Sequence, residues 1–153
     1  MPIIGLSLDA TREYVSDKDP AKGTEEEAEK ATVWIIGTMS SRVHGHLRDK
    51  MTSYRIDPDE KTRDEEGVET SVNLNDMRFQ VVQFGLDGWR NFTDESGGQI
   101  EVKKVGRRLG QQSYQIIDPD VLARVPGVIL RELYDVIRKQ NDLEETEAKN
   151  LGA

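Results

Sequence analysis

A chain of 153 residues suits one domain, and its 35% apolar against 33% charged residues supply one small core but not two. A formal net charge of −8 disfavours nucleic-acid phosphates and anionic membranes as partners. The absence of cysteine excludes disulfides and thiolate chemistry, and no stretch approaches the ~18 apolar residues of a membrane-spanning helix.

Residues 1–16 mix apolar and polar positions without a clear period and read as an arm carrying a short strand or a turn of helix. The opening Met1–Asp9 lacks a basic region and is broken by Gly5 and Ser7, so no export leader is expected. Residues 17–30 are a charged stretch. Thr24 followed by Glu27 fits a capping box for one short helix, and a solvated loop is the competing reading.

Residues 31–38, Ala-Thr-Val-Trp-Ile-Ile-Gly-Thr, form a β-branched and aromatic run that predicts a strand. Ser40 and Ser41 offer N-caps for a helix to about Tyr54, with Val43, Leu47, Met51 and Tyr54 on one face. Residues 57–67 are an acidic loop, and the alternation of Val68, Thr70, Val72 and Leu74 predicts a half-buried strand. Asn75 caps a second helix whose apolar stripe is Phe79, Val82, Leu86 and Trp89, weakened at its end by Gly85 and Gly88.

Residues 91–98 carry turn chemistry. A strand is expected over 99–105, with Ile100 and Val102 on one face, then a loop at 106–110 and a strand near 114–117. Asp118-Pro119 is an N-cap with proline at the first helical position, opening a short helix that runs to about Val125. Pro126 begins another, with Ile129, Leu133, Val136 and Ile137 on one face. Asp142 with Glu145 suggests a last capped turn, and residues 149–153 a loose tail.

The expected fold is therefore α+β: a single small domain of three or four helices and a short, mostly antiparallel sheet pairing through the turn at 94–98, with an extended N-terminal arm. Its divisions are an arm and acidic linker at 1–30, the α+β domain at 31–140 with its loop at 57–67, and a tail at 141–153.

The residues point away from catalysis. His44 and His46 lie two apart, so on a helix they point roughly 200° from each other and cannot share a metal from one face. The run Asp57-x-Asp59-x-Lys61-x-Arg63 begins like a calcium loop, then puts cations at ligand positions and Val68 where the closing carboxylate belongs. Neither Gly85-Leu86-Asp87-Gly88 nor Gly97-Gly98 leads into a phosphate-binding helix start. No catalytic residue, metal ligand or cofactor site is singled out.

Candidate binding residues are few. Lys103, Lys104, Arg107 and Arg108 put four cations into six residues, which suits docking on an acidic neighbour or a solvated hairpin tip, with DNA inside a particle ranked below both. Tyr14 is a candidate for packing on a neighbouring subunit. Trp34, Trp89 and Phe92 are expected to anchor the core, since aromatics are scarce in this chain.

The segment Phe84-Gly85-Leu86-Asp87-Gly88-Trp89-Arg90-Asn91-Phe92-Thr93-Asp94-Glu95-Ser96-Gly97-Gly98-Gln99-Ile100 resembles a pattern in which a helix bearing glycine-leucine-x-glycine-tryptophan-x-asparagine-phenylalanine runs into an aspartate-x-x-glycine turn and a short strand. That pattern is met in small proteins of the structural gene cluster of tailed bacteriophages, including tail assembly chaperones. The ending, with Leu130-Arg131-Glu132-Leu133, Ile137, Asn141-Asp142-Leu143, Glu144-Glu145 and Lys149-Asn150, is similar to the same group. The resemblance covers about a third of the chain and implies a role class and no functional residues. The class is a non-enzymatic virion protein, either a minor head or decoration protein or a head–tail or tail ring subunit. Such a protein is made in the host cytoplasm and binds other phage structural proteins and copies of itself, with direct nucleic-acid contact not expected. The alternatives are a soluble tail assembly chaperone or adaptor, and an unrelated small-molecule enzyme or regulator.

Overall fold

Strand β2, Val33–Gly37, is the middle of a three-stranded antiparallel sheet in the computed structural model, which describes residues 2–23, 25, 28–56 and 75–141. Its alternation puts Trp34 and Ile36 into the core and leaves Val33 and Ile35 half-buried, as period-two burial requires. Strand β1, Thr11–Tyr14, pairs on one side with Tyr14 opposite Trp34. Strand β3, Leu86–Arg90, pairs on the other with Trp89 opposite Trp34, and the register shifts between Ile35 and Ile36.

Helix α1, Ser41–Ile56, starts where the serines predict. Ser40 caps it: its Oγ accepts from Val43 N at 3.2 Å and its carbonyl from His44 N at 2.9 Å. Val43 and Leu47 face the core. Helix α2 covers residues 75–85 and is buried on much of its circumference, through Met77, Val81 and Val82. Gln83, also buried, is satisfied by donating to Ile117 O at 3.1 Å.

The expected stripe of α2 requires correction. Leu86 and Trp89 belong to β3, because the helix ends at Gly85 and the chain turns directly into the sheet. Gly85 is required there: a Cβ would run into Ile137 Cγ2 and Met39 Cε. The strand expected at 99–105 is also displaced. Strand β4 is Lys104–Leu109, pairing antiparallel with β5, Gln112–Ile117. Gly106 therefore lies within a strand, opposite Gln115, and the turn is made at Gly110, whose φ of +64° suits glycine. At 94–98 the chain does reverse, but Thr93 and Gln99 form only an isolated bridge. Asp94 organises that reversal, its Oδ1 accepting from Ser96 N, Ser96 Oγ and Gly98 N.

Helix α3, Pro119–Leu122, is capped by Asp118, whose side chain accepts from Asp120 N. Helix α4, Gly127–Gln140, buries Leu133, Tyr134 and Ile137, while Ile129 and Val136 are partly buried against the core. Asn141 ends α4 and fastens it to the sheet. Its Oδ1 accepts from Met39 N at 2.8 Å, and its Nδ2 donates to Ile137 O and Gly37 O. The architecture is a small α+β domain whose core lies between the three-stranded sheet and α1, α2 and α4. The Thr24–Glu27 capping box, the 57–67 loop, the 68–74 strand, the Asp142–Glu145 turn and the tail lie outside the described residues, as do the side chains of Met51 and Tyr54.

Candidate functional site

Three features lie close along the chain or in space: an apolar arm, the cleft at its root, and the basic strand beside that cleft. The arm is residues 2–8. Ile3, Ile4, Leu6 and Leu8 are 99, 88, 60 and 57% exposed, and the only other exposed large apolar side chains among the described residues are Val102 and Val128. Such a run has no reason to face water in a chain this short of apolar residues.

The root of the arm is fixed. Ala10 N donates to Ser7 O at 3.0 Å, closing a turn, and Thr38 Oγ1 donates to Ala10 O at 3.0 Å. Beyond the turn β1 is laddered to β2, and Arg90 reaches across to pair with Glu13 at 2.8 Å. Tyr14 closes the strand by donating its hydroxyl to Glu132 on α4, with Lys18 Nζ 3.3 Å from the same carboxylate. Burial, then the hydrogen bond to Glu132 and its charge, push the Tyr14 phenol well up. Burial alone would raise Glu132, but hydrogen bonds from Tyr14, Ser16 and Lys18 and the Lys18 charge hold it below the ordinary carboxylate range. The Tyr14 hydroxyl is thus committed within this chain.

The cleft, of about 410 Å³, lies between the root of the arm, the β2–α1 junction, the end of α2 and the hairpin of β4 and β5. Met39, Val43, Phe84, Leu86 and Ile116 give it apolar walls, and Leu8 and Thr11 form one side. Its lining carries three charged residues, Lys104 and Asp87 paired at 2.9 Å, and Asp9 on the arm side.

The four cations of the basic segment do not act as a block. Lys103 pairs with Asp118 at 3.6 Å and Lys104 with Asp87. Strand alternation then separates the arginines. Arg107 turns inward and lies over the Phe84 ring at 5.3 Å, while Arg108 is exposed, and neither has an acidic partner among the described residues. His46 approaches the same Phe84 ring, 6.1 Å between centroids. Burial, then Lys50 and Arg107, lower its pKa, with Asp49 opposing, and its Nε2 has no hydrogen-bond partner.

Trp34, Trp89 and Phe92 meet as a triad with centroids 5.1–5.9 Å apart. Trp89 Nε1 donates to Ile100 O at 2.6 Å. Among the described residues no group of three or more His, Asp or Glu is placed to hold a metal ion, and no helix is long and apolar enough to cross a membrane.

Reading the sequence missed the arm's apolar residues and the cleft. The available signal was the alternation of Ile4, Leu6 and Leu8 with Gly5 and Ser7, uncharged in a highly charged chain. Set against family models, curated proteins and solved structures, the chain matches none of them.

Proposed function

We propose that this chain is a non-enzymatic structural subunit of a tailed-bacteriophage particle, a minor head or decoration protein or a head–tail or tail ring subunit. It is made in the host cytoplasm, resides in the virion and acts through protein–protein contacts with other particle proteins and with copies of itself. One observation carries this reading: four large apolar side chains stand exposed on an arm whose root is anchored to the sheet. Covering them contributes about 1.5–3 kcal/mol each before the cost of ordering the arm. That is a driving force for assembly and has no use in a free monomer. The resemblance of residues 84–100 and of the chain's ending to phage morphogenesis proteins supports the same class.

Mass spectrometry of purified particles tests it. The expected result is this chain at a fixed stoichiometry to a major structural protein. Its consistent absence, with recovery in soluble complexes with a tail protein, would replace the proposal with an assembly chaperone.

A further inference from the structure

We infer that the seam between α1 and the hairpin of β4 and β5 docks an acidic segment of a partner protein, an extended stretch with carboxylates at alternate positions; that the partner is a protein rests on the reading of the chain as a particle subunit.

The seam gathers cations and leaves them unpaired. Arg42, His46 and Lys50 fall four apart on α1, so they stand above one another on one face. Across from that face, Arg107 of β4 lies over the Phe84 ring at 5.3 Å, the ring that His46 also approaches. Arg42 Nη1 reaches the hairpin turn, 3.8 Å from where a Cβ on Gly110 would stand. Lys50 Nζ donates to Gln80 Oε1 at 2.8 Å, a neutral acceptor. Among the described residues no carboxylate pairs with Arg42, Lys50 or Arg107. Asp49, exposed on α1, is the one acid whose charge acts on His46, against those of Lys50 and Arg107.

Elsewhere the chain treats its cations differently. Lys18, Lys103, Lys104 and Arg124 each have a carboxylate within 3.9 Å, and acids outnumber Lys and Arg by 29 to 21. Arg42 also stands in the first turn of α1, which holds no acid and where the helix dipole disfavours a cation. This crowding costs repulsion in the free chain that carboxylates from a partner relieve. Stacking on Phe84 holds the Arg107 guanidinium in place, so little side-chain freedom is lost when it pairs. Charge density selects the partner. Over the ~12 Å from Arg42 to Lys50, duplex DNA presents about seven phosphate charges, at one per ~1.7 Å of axis. Arg42, Lys50 and Arg107 cannot balance that on a body of net charge −8. An extended peptide with acids at alternate positions presents one carboxylate per ~6.8 Å, close to the ~6 Å rise between successive members of the α1 row.

The probe is a fluorescein-labelled peptide of alternating serine and glutamate, about eight residues long, which spans the seam at ~3.4 Å per residue. The full chain is titrated into it at low ionic strength and binding is read by fluorescence anisotropy. The expected result is saturable binding that weakens with added salt. R42E and R107E are each expected to weaken it roughly two- to fivefold, and R42E/R107E at least roughly tenfold. R131E, at an exposed position of α4, makes the same change in net charge and is expected to leave binding within about twofold. R42Q and R107Q, checked by urea titration for an unchanged midpoint, are expected to weaken binding in the same direction, so a reversal that unfolds the chain does not decide the matter. Equal losses for R131E and R42E overturn the inference, since net charge alone would then explain them. So does duplex DNA that binds more tightly than the peptide at the same salt. Absence of peptide binding with the chain present in particles removes this site and leaves the particle reading intact. Site-specific binding with the chain absent from particles supports the site and removes only the particle assignment.

Discussion

The Trp89 indole nitrogen joins β3 to the segment that leads into β4, through the buried Ile100 carbonyl. W89F keeps most of the ring but strands that acceptor, and is expected to lower unfolding free energy by about 1–3 kcal/mol in a urea titration. His46 sets a pH dependence. Its folded pKa is lowered by burial, Lys50 and Arg107, so the unfolded chain binds the proton more readily. The resulting penalty is absent above the unfolded value near 6.5 and grows as pH falls through it toward the folded pKa. H46Q is therefore expected to show a smaller loss of Tm than the unaltered chain between about pH 7 and pH 5. At this scale the sequence was readable for Trp34, Trp89 and Phe92, because few aromatics compete for a small core. It marked Tyr14 for packing on a neighbouring subunit and gave no sign of its bond to Glu132, because the two meet only through the fold, 118 positions apart.

Elements with a strong local signal were legible: β2 from its β-branched run, α1 from its serine cap, and α3 from Asp118-Pro119. The end of α2 was half legible. Gly85 stops the helix, yet Leu86 and Trp89 continue the helical spacing by coincidence, so the switch to β3 left no mark in the periodicity. The β4–β5 hairpin was misread because two glycines, Gly106 and Gly110, offered a turn and only the long-range ladder decides between them. Gly85 also sets how closely α2 can approach α4. G85A pushes a methyl into Ile137 and Met39, and overpacking of this kind is expected to cost about 1–3 kcal/mol, read as a lower urea midpoint with unchanged slope.

For the whole molecule, the sequence announced an α+β domain with an arm but not the arm's exposure, since seven residues are too few for a period to stand out. Exposure also makes the arm separable from the fold. The double variant I4D/L6D removes apolar contact area that the folded chain itself does not use. Its Tm is expected to stay within about 2 °C of the unaltered chain's, as surface substitutions usually do. Particle incorporation is expected to fall sharply, as measured by mass spectrometry of purified particles.

Because the arm is continuous with an edge strand, any tension on residues 2–8 passes first through the Ser7–Ala10 turn and the Thr38–Ala10 bond and then into the β1–β2 ladder, whose first rung is Thr11 with Gly37. A pull along the strand loads all the rungs in shear at once. A pull away from the sheet peels that first rung and then the others in turn, with the Tyr14–Glu132 bond at the far end as the last restraint. The same anchor is therefore stiff against stretching and yielding to lift, so a particle that strains its joints in line would hold where one that strains them sideways would let go.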